Sequence, residues 1–443
     1  MMPIESEIND NIPEVSPITD EELGTFRKEE LLSNGTELVV LERPGSPVHI
    51  QASFFSGSRF NPQGQEGISH FLEHMLVAGT TKFPTKDKLA SLIEQYGGVF
   101  GASTGPEVLN INVAVADPND LGVCRDTLHE ILLEPLLNQD TLETERGAIL
   151  KELGEKKSNP SKMLWDLYPL LFFQKTEMGK TNLGTEESIK GITRNEIIRF
   201  YKENIVSGRL ALIASGGVKI GDVKQLSEES LLVPETQKFT TTNQLPVYRE
   251  KPIIVEKYPN SKQVNLLLGF RTSSQFDSED AALRVIAEVL GGGRSSTLIK
   301  KLRLEKGLVY DLFASEHRYN DSGTWSINTA TSKDKLQEVL DIISGEIRRV
   351  ADNGLTQEEI AFAQRKRTRS LRMQLQSSSS WVKLYSNLRR TNGGFSNIYD
   401  YTKGVLDVTP ELTKTVAQKY FGGDKWYLAM CGDVNENDVK INL

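Results

Sequence analysis

The chain has little of what builds covalent frameworks. Two cysteines, Cys124 and Cys431, in 443 residues rule out a disulfide scaffold and offer no metal spacing of their own. A reducing cytoplasm is the compartment they fit. No apolar run approaches the ~20 residues that cross a bilayer, so no membrane partner is expected. The opening "MMPIESEINDNIPEVSP" is acidic and carries neither a basic leader nor an apolar h-region. Residues 1–24 read as a disordered lead. Positive charge is in deficit, with 52 Lys and Arg against 60 Asp and Glu, which argues against nucleic acid as a general partner. The chain has only five histidines, so where they fall is informative.

What is present is a duplicated pattern. Residues 137–153, "LNQDTLETERGAILKEL", align with 355–371, "LTQEEIAFAQRKRTRSL". Residues 192–218 align with 408–434, and "SHFLEHML" (69–76) falls opposite "RVIAEVLG" (284–291). All three pairs sit at nearly one offset, about 216 residues, in the same order. The chain therefore reads as two homologous domains, 25–233 and 261–443. A Thr- and Pro-rich linker, 234–260, leads into the first strand of the second domain. In the first domain, 32–45 reads as a hairpin with Asn-Gly at its turn. Strands are expected at 49–58, 109–117 and 209–217, and helices from about 66 and 85 and over 119–134 and 139–158. The second domain shows long helical patterns at 333–352 and 356–390. Each domain is thus expected to be α+β, a mostly antiparallel sheet with helices packed on one face.

Two of the five histidines lie in "SHFLEHML". On a helix His70 and His74 stand one turn apart on one face with Glu73 beside them, and both imidazoles can reach one Zn²⁺. A solvated polar face would also produce this pattern, so a third ligand was sought. In "LETERGAILKEL", Glu145 and Glu152 are two helical turns apart and share a face. Glu152 is the candidate ligand, and Glu145 the candidate that orients a histidine or the water. Glu143 and Glu155 are read as solvated. The duplication supplies an internal control. His70, His74, Glu145 and Glu152 fall opposite Val285, Val289, Ala363 and Ser370, while Glu73 alone keeps a counterpart, Glu288. The shared fold does not demand these residues, so one metal centre is expected in the first domain and none in the second.

From about residue 25 to 435 the chain resembles the pitrilysin-type zinc peptidases, which include the mitochondrial processing peptidase and insulin-degrading enzyme. The resemblance rests on H-x-x-E-H at His70, Glu73 and His74, followed by "ERGAILKE" with Glu145 and Glu152. It implies zinc held by His70, His74 and Glu152, with Glu73 as general base. A second shared element is "LGGGRSSTLIKKLRLEKGLVYDL" (290–312), in which the resemblance implies that Arg303 and Tyr310 of a facing half stabilise the oxyanion. The family's substrate strand corresponds to Gly101, Ala102 and Ser103. Here Gly101 stands where the family usually has Asn, and the spacing from His74 to Glu152 is one residue longer than the commonest form. The implied function is a zinc endopeptidase acting on short or unfolded peptides. One chain has only two domains, so a homodimer, or a heterodimer with a related subunit, would complete each site. The alternative is a non-catalytic assembly or peptide-binding subunit.

Overall fold

The computed structural model describes residues 14–240, 245–391 and 393–443. In the first half the strands are β1 (Phe26–Leu31), β2 (Glu37–Glu42), β3 (Val48–Phe54), β4 (Val99–Thr104), β5 (Leu109–Val115) and β6 (Leu210–Gly216). Its helices are α1 (Ile68–Val77), α2 (Lys86–Glu94), α3 (Leu121–Leu133), α4 (Gln139–Lys157), α5 (Pro160–Phe173), α6 (Glu186–Gly191), α7 (Arg194–Asn204) and α8 (Ile220–Ser230). The second half supplies β7 (Ile253–Lys257), β8 (Val264–Thr272), β9 (Leu312–Arg318), β10 (Gly323–Thr331) and β11 (Trp426–Gly432). Its helices are α9 (Asp280–Gly291), α10 (Leu336–Asn353), α11 (Gln357–Gln374), α12 (Ser378–Asn387), α13 (Ile398–Leu406) and α14 (Pro410–Phe421).

Two sheets organise these elements, ordered β1-β2-β6-β3-β5-β4 and β7-β11-β8-β10-β9. Pairing is antiparallel except between β2 and β6 and between β7 and β11. The two orders superimpose strand for strand once β1 is set aside, as expected of a duplicated unit. This is an α+β architecture in which each half's own helices cover one face of its sheet. In the first half Ile50, Ile111, Val113 and Leu212 pack beneath Phe71 and Met75 of α1 and Ile149 of α4.

The opposite faces are closed reciprocally. Val39, Leu41, Ala211 and Ile213 of the first sheet lie under Trp381, Val382 and Tyr385 of α12, which belongs to the second half. Leu267, Tyr427 and Ala429 of the second sheet lie under Tyr168, Leu171 and Phe172 of α5, which belongs to the first. This double cover is why β2 and β6 read as near-continuous apolar runs buried on both faces. Buried ion pairs cross the same boundary. Arg389 meets Glu37 at 2.7 Å and Arg59 meets Asp321 at 2.6 Å; within the first half Arg59 also meets Glu107 at 2.9 Å. Cutting one partner from such a pair costs about 3–5 kcal/mol, because the other charge is left buried alone.

Three expectations need correction. Residues 14–24 are not a structureless lead. Ile18 is fully buried against α12 and α13, its N–H donates to Thr402 Oγ1 at 2.9 Å, and Tyr385 donates to Asp20 at 2.8 Å. Residues 1–13 lie outside the described residues. The pattern at 356–390 is two helices. The serine run ends α11, and the Ser377 side chain caps α12 by accepting from the Ser380 N–H at 3.2 Å. β7 begins inside the segment read as a linker.

Candidate functional site

α1 carries the histidines, and its start is set by Gly67 at φ 91°, where a side chain would stand 2.6 Å from the Leu183 carbonyl oxygen. From there Ile68, Phe71, Leu72, Met75 and Leu76 turn into the core. The remaining face presents His70, Glu73 and His74 to α4 and β4. The rings of His70 and His74 meet edge to face with centroids 4.6 Å apart. Across from them, α4 brings Glu152, whose Oε2 lies 3.8 Å from His70 Nε2 and 4.0 Å from His74 Nε2. One ligand atom from each of the three falls within 4.8 Å of the others.

Glu145, two turns removed on the same face of α4, accepts from His74 Nδ1 at 2.8 Å. That contact fixes the ring so that Nε2 points at Glu152, the arrangement by which a carboxylate orients a metal-binding imidazole. His70 Nδ1 is buried and has no partner among the described residues. Burial, with help from His74 and Lys156, pushes the His70 pKa down to about 3, so this ring is neutral and its nitrogens are free to donate electron pairs.

Glu73 faces the same space from a half-buried position. Burial raises its pKa, and a hydrogen bond from Thr104 and the nearby His74 oppose that rise. The Thr104 hydroxyl donates to Glu73 Oε2 at 2.6 Å. Oε1 is thereby left for the site. Thr104 is the last residue of β4, an edge strand, and its carbonyl is held by Asn182 Nδ2 at 3.2 Å. Neither Thr104 nor Asn182 was singled out from sequence. Strand alternation along 100–104 was the available signal, since it puts Phe100, Ala102 and Thr104 on one face. A cleft of about 420 Å³ opens beside the cluster, lined by Glu73, His74, Glu145, Val77, Phe100 and Gly101 among others.

The structure brings together His70, Glu73, His74, Glu145 and Glu152, and it sets Gly101, Ala102 and Ser103 on the adjoining edge strand. Arg303 and Tyr310 lie in the second half. The Arg303 guanidinium sits 5.1 Å from the centre of the Tyr310 ring, and Tyr310 is 81% exposed. Among the described residues no hydrogen bond or ion pair joins that pair to the histidine cluster.

Two imidazole nitrogens and one carboxylate form a donor set suited to Zn²⁺. Ligands around tetrahedral zinc stand about 3.3 Å apart, so the observed 3.8 and 4.0 Å require only a small inward shift of the half-exposed Glu152. The residues present fit that ion.

Two family models match the chain. Residues 39–186 match the one described as insulinase (peptidase family M16), and residues 191–367 match the peptidase M16 inactive domain. The chain belongs to peptidase family M16. Its curated relatives include proteins named uncharacterized zinc proteases. The one from Streptomyces coelicolor is 27% identical over 83% of this chain and 81% of its own length. The one from Bacillus subtilis is 25% identical over 78% and 84%. Among solved structures, a peptidase M16 inactive domain from Pseudomonas fluorescens superimposes with a TM-score of 0.85 at 20% identity, over 93% of this chain and 98% of that one. A Helicobacter pylori protease gives 0.80 at 19%, over 92% and 99%. These two likenesses establish the M16 fold. No helix among the described residues is long and apolar enough to cross a membrane.

Proposed function

We propose that this M16 chain is a zinc-dependent endopeptidase for short or unfolded peptides. The observation that carries the reading is the convergence of His70, His74 and Glu152 beside a half-buried Glu73 at the open edge of a sheet. His70, His74 and Glu152 hold the ion. Zinc, when bound, supplies Lewis acidity to the peptide carbonyl and to the attacking water. Glu73 takes the proton of that water at Oε1, the oxygen Thr104 leaves free, and delivers it to the departing amine. β4 offers an unpaired edge along Gly101, Ala102 and Ser103, to which an extended peptide adds as a further strand read mainly through its backbone.

Arg303 and Tyr310 are donors without a substrate in their own half. In a homodimer, or a heterodimer with a related subunit, they would face the partner's zinc and donate to the developing oxyanion. An active monomer in gel filtration would reject that arrangement. Both cysteines are buried and unpaired, which favours a reducing compartment such as the cytoplasm.

Zinc stoichiometry with cleavage of a quenched peptide, with and without chelator, tests the whole reading. E73Q is the sharpest variant: it is expected to keep its zinc and to lose about 10²–10⁴ in rate. Full zinc without any turnover in the wild type would instead indicate the non-catalytic subunit.

A further inference from the structure

β4 has two faces, and only one of them looks at the histidine cluster. Ala102 and Thr104 lie on that face. Val99, Gly101 and Ser103 lie on the other, opposite Ala114, Asn112 and Asn110 of β5. The alternating burial of β5 agrees, with Ile111 and Val113 in the core and Asn110 and Asn112 turned away from it. Beyond them β3 adds His49 and Gln51. Together these polar side chains floor a second cavity of about 400 Å³ that begins at Ser103 and is walled by the second half, including Gln275, Asn320 and Lys383.

The hydrogen bonds inside this cavity leave the asparagine nitrogens of β5 free. Asn110 Oδ1 accepts from Gln51 Nε2 at 3.1 Å, and Asn112 Oδ1 is engaged by His49 Nε2 at 3.2 Å. Both carboxamide oxygens are therefore occupied, while neither carboxamide nitrogen has a partner among the described residues. The charged groups lining the cavity are mostly committed. Glu107 is taken by Arg59 and by Asn320, Arg318 pairs with Asp280, and Arg389 pairs with Glu37. The Lys383 ammonium has no ion pair or hydrogen bond among the described residues. Beside the free carboxamide oxygens of Gln51, Gln275 and Asn387, the free donors are the two asparagine nitrogens and the Lys383 ammonium, the one lining charge without a counter-ion among the described residues.

We propose that this cavity is a substrate subsite for a carboxylate-bearing side chain, entered across the bare backbone of Gly101. The proposal rests on the peptidase reading above. An extended chain added to β4 turns alternate side chains to opposite faces of the sheet. The residue paired with Gly101 points away from Glu73 and toward Asn112. A Cβ at Gly101 would meet nothing within 4 Å, so the way across is open. Strands are spaced about 4.8 Å apart, which puts Asn112 two strand spacings, or about 10 Å, from the added backbone. A glutamate and an asparagine side chain with one hydrogen bond between them span that gap. Carboxylate oxygens accept strongly from amide and ammonium donors, whereas a leucine would leave them unpaired.

Quenched peptides that differ only by Glu or Leu, position by position, test this with the zinc-loaded wild type. One position is expected to favour Glu by about fivefold in kcat/KM. In G101L, whose side chain lies over Asn112, that advantage is expected to vanish, and K383E is expected to reduce it. Equal ratios at every position in the wild type overturn the subsite, as does an unchanged ratio in G101L. If G101L cleaves neither peptide, the K383E ratio decides. Failure of the zinc-loaded wild type to cleave any peptide sinks the peptidase reading, and the subsite with it.

Discussion

The two halves place the same pieces of backbone around two differently solved charge problems. In the first, Glu73, Glu145 and Glu152 gather around two imidazoles, with no Lys or Arg ion-paired to any of the three carboxylates among the described residues. In the second, Val285 and Val289 replace the histidines and are buried in the core, and Ala363 and Ser370 replace the glutamates. Glu288, the one carboxylate kept, is met by Lys366 at 2.5 Å and Arg367 at 3.4 Å. Arg367 also pairs with Glu316 of β9 at 2.9 Å. Burial works against the Arg367 charge, and Glu316 and Glu288 more than restore it. One half thus leaves its acids without a paired Lys or Arg among the described residues; the other has built the balancing cations into α11. A carboxylate in such a site is informative only together with the cations around it.

The comparison is broken most severely by removing the built-in cation. R367M leaves Glu288 with Lys366 alone and strips Glu316 of its direct ion pair, and it is expected to cost about 3 kcal/mol of stability, read as a fall in the denaturant midpoint. H70A in chelated protein is expected to shift that midpoint far less, since it breaks no ion pair with a fixed cation. Equal losses would mean that the two sites are alike structurally. Next, E145Q keeps the hydrogen-bonding shape but weakens the hold on His74, and zinc affinity is expected to drop about 10–100-fold in a competition titration. T104V is expected to lower kcat by about tenfold with KM unchanged, and T104S to restore it, because the Glu73 contact needs only a hydroxyl.

The smallest effect concerns the boundary between the halves. Burial raises the Glu37 pKa, but Arg389, Lys238 and the Gly394 N–H outweigh it and hold the carboxyl below its ordinary 4.5. A carboxylate lowered in the folded state contributes stability above its unfolded pKa and loses it as pH falls through the folded value. The wild-type melting temperature is therefore expected to fall more steeply than that of E37Q as pH drops below 4.5. Parallel curves would remove Glu37 from the acid response.

The candidate site was legible because its geometry is local. Residues one turn apart on α1 and two turns apart on α4 share faces by helix period alone, and the duplication showed which of them the fold did not require. The sheet order and the helices closing the outer faces were not legible in this way. Nothing in "PSKMLWDLYPLLFF" says that it lies on a sheet whose first strands come about 100 residues later; its apolar residues say only that one side of it packs on something. The anchoring of 14–24 was missed for the same reason, since Ile18 and Asp20 acquire meaning only beside Thr402 and Tyr385. Thr104 was missed because strand alternation gives its face but not the Glu73 that the face meets.

The exchange of α5 and α12 has a mechanical outcome. Each helix is tethered on its own side but gripped by the opposite sheet, so the chain is tied to itself twice, independently of the 231–252 connection. A protease that nicks that connection yields two fragments on a denaturing gel and a single species on a sizing column. Neither fragment, made alone, has anything to lay over the apolar back of its own sheet.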